Sequence, residues 1–399
     1  AFMLLASCQV DPNSGIGGDT AFPGISLGGS KDLSSAVSSM QVSITNEKEN
    51  IDMREQLDLS TGTLALSVPA AKNVLFEVTG SNATSSFYGS ATEDLKAGSA
   101  MEISITPDLD AIKLLVPDRT NNRIVQIDDI DGTGWIEKGE SFLSLESTES
   151  IVDLAYDEYG RIYVAIYNAV LDEARILRMD DIGSIDTTIY TVSGRITALA
   201  VDRTNSRIYF GYEDSDLQDF LASMDYSGSS FDDSYGYDIW GGSTPIEGIA
   251  VGNEGVVYIA RDNAGDSPGI VRYDPATTNI TENSNIHAAV DVAVKNGYVY
   301  IADPYHFTSP RLERLPVGFS SGETPDTLLN DPQDGQDTFL GPYYFIHSLS
   351  DGLYILDEPI AGTLDDGRIV RIDDISGSGW STFKASDIGK SEFDYYVGS

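Results

Sequence analysis

The phrase RIVQIDDIDGTGW, at 123–135, returns as RIVRIDDISGSGW at 368–380, 245 residues later. Between the copies the chain is periodic. One strand-like signature (KLLVPD, RIYVAI, RIYFGY, VVYIAR, YVYIAD, GLYILD) is centred on Leu115, Tyr163, Tyr209, Tyr258, Tyr300 and Tyr354, at intervals of 42 to 54 residues. A second signature follows each of these: RIVQIDD, ARILRMDD, DFLASMD, GIVRYD, RLERLP and RIVRIDD. A third precedes most: IVDLAYD, ITALAVD, IEGIAVG, AVDVAVK and YFIHSLS. Each period therefore holds three recognisable strands and room for a fourth. A four-stranded period of ~40–50 residues is that of a propeller blade. One such sheet cannot bury both of its faces, so the copies must stack around an axis. The two opening phrases lie five periods apart and become the same strand of the first and sixth blades. The spacing predicts an all-β, six-bladed β-propeller over residues 108–399.

Closure follows from the same register. No innermost strand precedes Lys113, whereas the C-terminus carries a surplus segment, FDYYVG from Phe393. It aligns with VDLAYD from Val152, so it is expected to complete the first blade and lock it to the sixth. Trp135, Trp240 and Trp380 are expected to fill gaps between blades. The order of inner strand, Tyr-Val-Ala-Asp-like strand and RIxxFD-like strand resembles NHL-repeat propellers. That resemblance implies the fold and leaves function open, because propellers host many roles.

Ahead of the propeller, residues 37–107 carry short runs such as SMQVSIT, GTLALSV, NVLFEVTG and AMEISITP, separated by Gly, Asn, Pro and Lys turns. These read as an antiparallel β-sandwich. The stretch resembles the immunoglobulin- or fibronectin-like modules of bacterial lipoproteins. Residues 9–36 are rich in Gly, Ser, Pro and Asp and read as a flexible tether. Before them stands AFMLLASC. Leu5-Ala6-Ser7-Cys8 resembles the bacterial lipobox, in which a signal peptidase admits small residues ahead of the cysteine that receives lipid. The resemblance implies that residues 1–8 are the remnant of a signal peptide cut at its front, that Cys8 is lipidated, and that Gln9 after it suits sorting to an outer membrane. The other reading of Cys8 is a small core hydrophobe.

The charge balance excludes one class of role. With 63 acidic and 24 basic residues the net charge is −39, and such a chain repels a phosphate backbone rather than replacing its counterions. Cys8 is the only cysteine, so no intrachain disulfide is possible. No run approaches the ~18 apolar residues that a membrane-spanning helix needs.

Candidate chemistry is sparse. Asp153, Asp291 and Asp394 occupy matched inner-strand positions in the second, fifth and first blades, while Ala198 and Gly248 take that place in the third and fourth. Carboxylates converging on an axis are the oxygen ligands that Ca2+ or Mg2+ takes; alternatively they cap backbone N–H groups or line a wet channel. The doublets Asp128-Asp129, Asp180-Asp181 and Asp373-Asp374 end third strands, where Asp bonds its own backbone in turns. His287, His306 and His347 are the only histidines. Propeller lyases of the streptogramin-inactivating type use His with a divalent ion, and the resemblance would make these three a catalytic set. Glu247, heading the fourth inner strand, is similar in place to a metal-binding Glu of gluconolactonase-like propellers.

Two functions fit. The first is a lipid-anchored envelope protein, monomeric, whose propeller is a non-catalytic platform for a protein or glycan, with long connections over 211–245 and 303–343 presenting tyrosines to it. The second is a divalent-metal-dependent hydrolase or lyase with its site at the channel mouth, built from the histidines, Glu247 and the inner-strand carboxylates.

Overall fold

The structure, a computed structural model, describes residues 20–390 apart from 28–38, 58, 60–62, 83, 84, 106, 120, 129, 130, 140–142, 181–186, 217, 234–244, 253, 262–268, 287, 304–310, 330–341, 347–352, 358–367, 373–379 and 389. The chain divides into two compact units: residues 1–81 with 87–108, and residues 82–86 with 109–399. Among the described residues no helix is long and apolar enough to cross a membrane.

The first unit is a small β-sandwich. Ile51–Gln56, Ser39–Asn46, Val74–Ser81 and Ser85–Glu93 lie side by side in one sheet. Alternation along Ser39–Asn46 turns Met40, Val42 and Ile44 into the core while Ser39 and Gln41 face solvent, the period-two signature of a half-buried strand. A second sheet corrects the reading of residues 9–36 as a tether throughout. Thr20–Leu27 is a strand, antiparallel to Thr63–Ala65 and Val68–Pro69 and parallel to Ala100–Ile105. Ala21 and Ile25 are buried, and the Pro23 carbonyl accepts the N–H of Leu66 at 3.0 Å. Two buried apolar side chains and a laddered backbone outweigh a composition that reads as linker.

Among the described residues the second unit contains six antiparallel sheets in chain order. The first comprises Leu114–Asp118, Arg123–Ile127 and Ile136–Lys138. The second comprises Glu149–Tyr156, Ile162–Asn168, Glu173–Met179 and Thr187–Ser193, and the third Arg195–Asp202, Arg207–Glu213 and Asp219–Asp225. Ile246–Val251, Val257–Arg261, Ile270–Asp274 and Asn279–Asn283 form the fourth. The fifth is Asp291–Lys295, Tyr298–Asp303, Arg311–Pro316 and Asp326–Leu329, and the sixth Pro342–Ile346, Leu353–Asp357, Arg368–Ile372 and Trp380–Phe383. The segments 211–245 and 303–343 are therefore not unbroken connections: each contains blade strands, Asp219–Asp225 in the first and Arg311–Pro316 and Asp326–Leu329 in the second.

The ring closes. Each pair of neighbouring sheets shares its own apolar cluster, and the sixth cluster joins the sheet that starts the ring to the one that ends it. Leu115 and Ile124 pack with Leu154 and Val164 between the first and second sheets. Tyr163 and Ile176 meet Leu199 and Phe210 between the second and third. Tyr209 and Leu221 meet Ile249 and Ile259, Tyr258 and Ile270 meet Val292 and Ile301, and Tyr300 and Leu312 meet Phe345 and Val370 in the next three. Finally Leu114, Val116 and Val125 pack against Leu356, Ile369 and Phe383. Leu115 faces one neighbour and Leu114 and Val116 the other, which is why the central strands read as continuous apolar runs: both faces are buried. Each such side chain contributes roughly 1.5–3 kcal/mol on full burial.

Trp135 packs on the cluster between the first and sixth sheets, 6.4 Å from Phe383. The neighbouring Gly132 has φ +75, and a Cβ there would overlap the Phe383 ring. Among the described residues Leu114–Asp118 is the first sheet's inner edge. The C-terminal segment from Phe393 and Trp240 lie outside the described residues, as does the side chain of Trp380.

Candidate functional site

The inner strands carry a register shift at one matched place: between Ile151 and Asp153, Ile196 and Ala198, Ile246 and Gly248, and Pro342 and Tyr344. Immediately past it, Asp153 pairs with Ala165, Ala198 with Gly211, Gly248 with Ala260 and Tyr344 with Leu356; Asp291 pairs likewise with Ala302. Asp153 and Asp291 are thus structural equivalents, as their sequence positions predict, and Tyr344 takes the matched place in the sixth sheet.

Both aspartates do the same thing. Asp153 Oδ1 accepts the N–H of Leu154 and Oδ2 the N–H of Leu199 in the next blade, each at 2.7 Å. Asp291 Oδ1 accepts the N–H of Val292 at 2.8 Å and Oδ2 the N–H of Phe345 in the next blade at 2.7 Å. An innermost strand has a free edge, and its N–H groups need partners. Each carboxylate clasps two of them and ties neighbouring blades together. Gly248 belongs to this arrangement: a Cβ there would overlap the Asp291 carboxylate. Carbonyls on the same edge are held by the Arg119 guanidinium, whose Nε donates to Val152 O at 2.6 Å, and by the Tyr344 hydroxyl, which donates to Leu154 O at 3.3 Å.

Burial pushes the Asp153 carboxyl up to about 6, against the opposing pull of the Leu199 N–H and the Arg119 charge. Asp291 is raised well above the usual carboxylate range by burial and then by the charge of Asp153.

Glu247 stands elsewhere, in the shift of the fourth inner strand. It is an electrostatic neighbour of Asp219, together with Glu213 and Arg261. Asp219 is 3% exposed, neither of its oxygens has a hydrogen-bond partner, and burial followed by repulsion from Glu213 raises it to about 6. Among the described residues no three His, Cys, Asp or Glu side chains are grouped to hold a metal ion. His287, His306, His347, Asp394 and Cys8 lie outside the described residues. Of the acidic doublets, Asp128 forms an ion pair with Lys113 at 3.0 Å, and Asp131 just beyond it accepts the N–H of Thr133, the expected turn chemistry.

Two features carry no motif. At the end of the second blade's hairpin, Val170 and Leu171 are 73% and 65% exposed. Asn168 Oδ1 accepts both of their N–H groups at 3.1 Å, Ala169 N–H donates to Thr148 O, and Gly194 N–H donates to Asp172 O. The tip is therefore an aliphatic pair on a braced turn, beside the exposed carboxylates Glu146, Asp172 and Glu173. A turn that places Val-Leu where Gly, Asn or Asp is usual was a visible signal in NAVLD.

The second feature is the axial cavity, of about 200 Å3. It is lined by five inner strands, beginning one to two residues past the clasps with Ala155, Ala200, Ala250, Val292 and Phe345. Arg203 and Lys295 stand among its lining residues.

No protein-family model matches the sequence, and no curated protein matches it. Solved structures similar to this one include TolB from Acinetobacter baumannii, with 11% identity over 77% of this chain and 75% of that one and a TM-score of 0.48. A protein of unknown function from Bacteroides caccae is 12% identical over 70% of this chain and 96% of that one, TM-score 0.47. A putative TolB from Agrobacterium tumefaciens is 10% identical over 58% and 79%, TM-score 0.43. At this level of likeness nothing about ligand or reaction carries over.

Proposed function

We propose that this chain is a cell-envelope lipoprotein, lipidated at Cys8, whose propeller is a non-catalytic docking platform for a protein. The observation that carries the reading is the Val170–Leu171 tip. In a chain of net charge −39, two adjacent aliphatic side chains stand in solvent on a turn held by four hydrogen bonds. Bracing lowers the ordering cost of docking, and an exposed apolar patch rimmed by charge is a mark of an interaction site. The aliphatic pair suits an apolar pocket with a basic rim, to complement Glu146, Asp172 and Glu173. A glycan is met instead by aromatic faces and hydrogen bonds. The axial carboxylates support the same reading: all four oxygens of Asp153 and Asp291 hold backbone N–H groups.

The test is site-specific photo-cross-linking in cells, with the probe at Val170 or Leu171 and a control probe at Asn296. Asn296 lies in a first-to-second-strand turn, at the opposite end of its blade from second-to-third-strand turns such as this one. One envelope protein cross-linked from 170 and 171 but not from 296 is expected. No adduct, or the same adducts from all three positions, would overturn the platform. Mass analysis for a lipid on Cys8, lost in Cys8→Ser, tests the anchor separately.

A further inference from the structure

The outer edge of the fourth blade differs from those of the second and fifth. A free strand edge invites pairing with another chain, and proteins blunt it with Lys, Pro or a bulge. The outer strands of the second and fifth blades are met by register shifts, at Ile176/Leu177 and Leu312/Glu313. Asn279–Asn283 is not: it pairs with the third strand without a break, from Ile270 opposite Asn283 to Asp274 opposite Asn279. Its sequence, NITEN, holds neither Lys nor Pro, and among the described residues no strand covers its outer side.

An open groove of about 730 Å3 runs along this edge. Residues 280–282 form one wall and residues 318–321 the other. Successive side chains of a strand alternate between two faces, so a groove that touches three in a row follows the strand's edge. The walls are tied together. Asn283 Nδ2 donates to Glu323 O and Asn285 Nδ2 to Gly322 O, each at 2.8 Å, and Ser320 N–H donates to Glu323 Oε2 at 2.9 Å. A groove fixed in advance lowers the ordering cost of binding.

Arg272 gives the groove its charge. It lines the groove and pairs with Thr281 across the ladder, so both side chains share the face that Ile270 turns to the fifth blade. Glu282 pairs with Val271 and faces the third blade, where it is an electrostatic neighbour of Arg261. Asp274, on the Arg272 side, is turned to the Ala276 N–H and the Thr277 hydroxyl, at 3.0 and 2.7 Å. The Tyr258 hydroxyl beside Arg272 donates to Val317 O at 2.7 Å. Arg272 is half-buried, its Nε is buried without a hydrogen-bond partner, and among the described residues it forms no ion pair.

We infer that this groove takes an extended peptide segment bearing a carboxylate. The segment adds as a strand to Asn279–Asn283, and its carboxylate sits on the Arg272 guanidinium. Selection of short random peptides displayed on phage tests this, with the full chain as target and its Arg272→Glu variant as counter-target. Peptides sharing an Asp or Glu are expected to enrich. A selected peptide, made synthetically, should bind Arg272→Gln about tenfold more weakly, the size of one charge-assisted contact. Replacing its acidic residue by the amide should cost as much against the unaltered chain. Methylating its backbone amides at alternate positions should abolish binding in one register and spare it in the other, because only one edge of an added strand meets the ladder. Unfolding midpoints check that Arg272→Gln folds; should it not, the amide and methylated peptides carry the test. No enrichment, enriched peptides without a carboxylate, affinity unchanged in folded Arg272→Gln, or binding indifferent to methylation in both registers would overturn the site. Failure here leaves the platform reading untouched, because cross-linking from Val170 and Leu171 reports on a hairpin of the second blade.

Discussion

The carboxylate of Asp153 accepts the main-chain N–H of Leu199 at 2.7 Å, across the boundary between two blades. The equivalent bond, from Phe345 to Asp291, recurs three blades further round the ring. The clasp needs two acceptor oxygens aimed at two donors. In Asp153→Asn or Asp291→Asn an amide NH2 replaces one acceptor and faces an N–H. Each substitution is expected to lower stability by about 1–3 kcal/mol, the cost of leaving a buried donor unpaired. Gly248→Ala should destabilise similarly by overpacking, about 1–3 kcal/mol, because its Cβ would displace the Asp291 carboxylate. Urea midpoints measure all three.

The repeated phrase has a structural purpose of its own. Arg123 and Arg368, which open its two copies, pair with Asp118 and Asp357 at the ends of the preceding strands, at 2.6 and 2.8 Å, and all four side chains are buried. Asp357→Ala would leave the Arg368 charge buried without its carboxylate. A loss of about 3–5 kcal/mol is expected, with Asp357→Ala/Arg368→Leu recovering part of it in the same urea titration.

Stability should fall as pH rises above the acid range. An unfolded Asp titrates near ~3.9, whereas burial holds folded Asp153 at about 6, Asp219 at about 6 and Glu313 at about 7. The folded state therefore binds these protons more tightly. Their contribution is complete below pH ~4 and is lost as pH rises through ~6–7, up to about 3 kcal/mol for Asp153 alone. Asp225, lowered by the Ser227 and Ser229 hydroxyls, works in the opposite sense below pH ~4. Thermal unfolding is expected to show its highest Tm near pH 5 and a lower one at pH 8, with a shallower slope in Asp153→Asn.

The C-terminal segment FDYYVG is expected, from its register with the inner strands, to complete the first blade. Removing residues 391–399 should then lower Tm by several degrees, because an uncovered inner edge loses a ladder and its apolar contacts. An unchanged Tm would count against that closure.

Much of this was legible in the chain itself. Six apolar signatures at blade spacing exist because both faces of each sheet are buried, so periodicity and packing report the same fact. The equivalence of Asp153 and Asp291 was legible for the same reason, since a period-two strand keeps a matched position on a matched edge. Tyr344 escaped because a register shift after Pro342 displaces the sixth inner strand from the motif YFIHSLS. Thr20–Leu27 escaped because its Gly and Pro read as linker, while its partners lie some 40 and 80 residues away in sequence. Arg203 and Lys295 had no signal at all: they share a cavity only once the blades have closed.

Closure of the ring between its two ends is the claim on which everything else stands, and native-state hydrogen exchange of Phe383→Ala tests it most directly. Phe383 belongs to the sixth sheet yet packs in one cluster with Leu114, Val116 and Val125 of the first. Faster exchange is expected in the amides of 114–127 as well as in those of 368–383. Faster exchange confined to 368–383, with 114–127 unchanged, would contradict it.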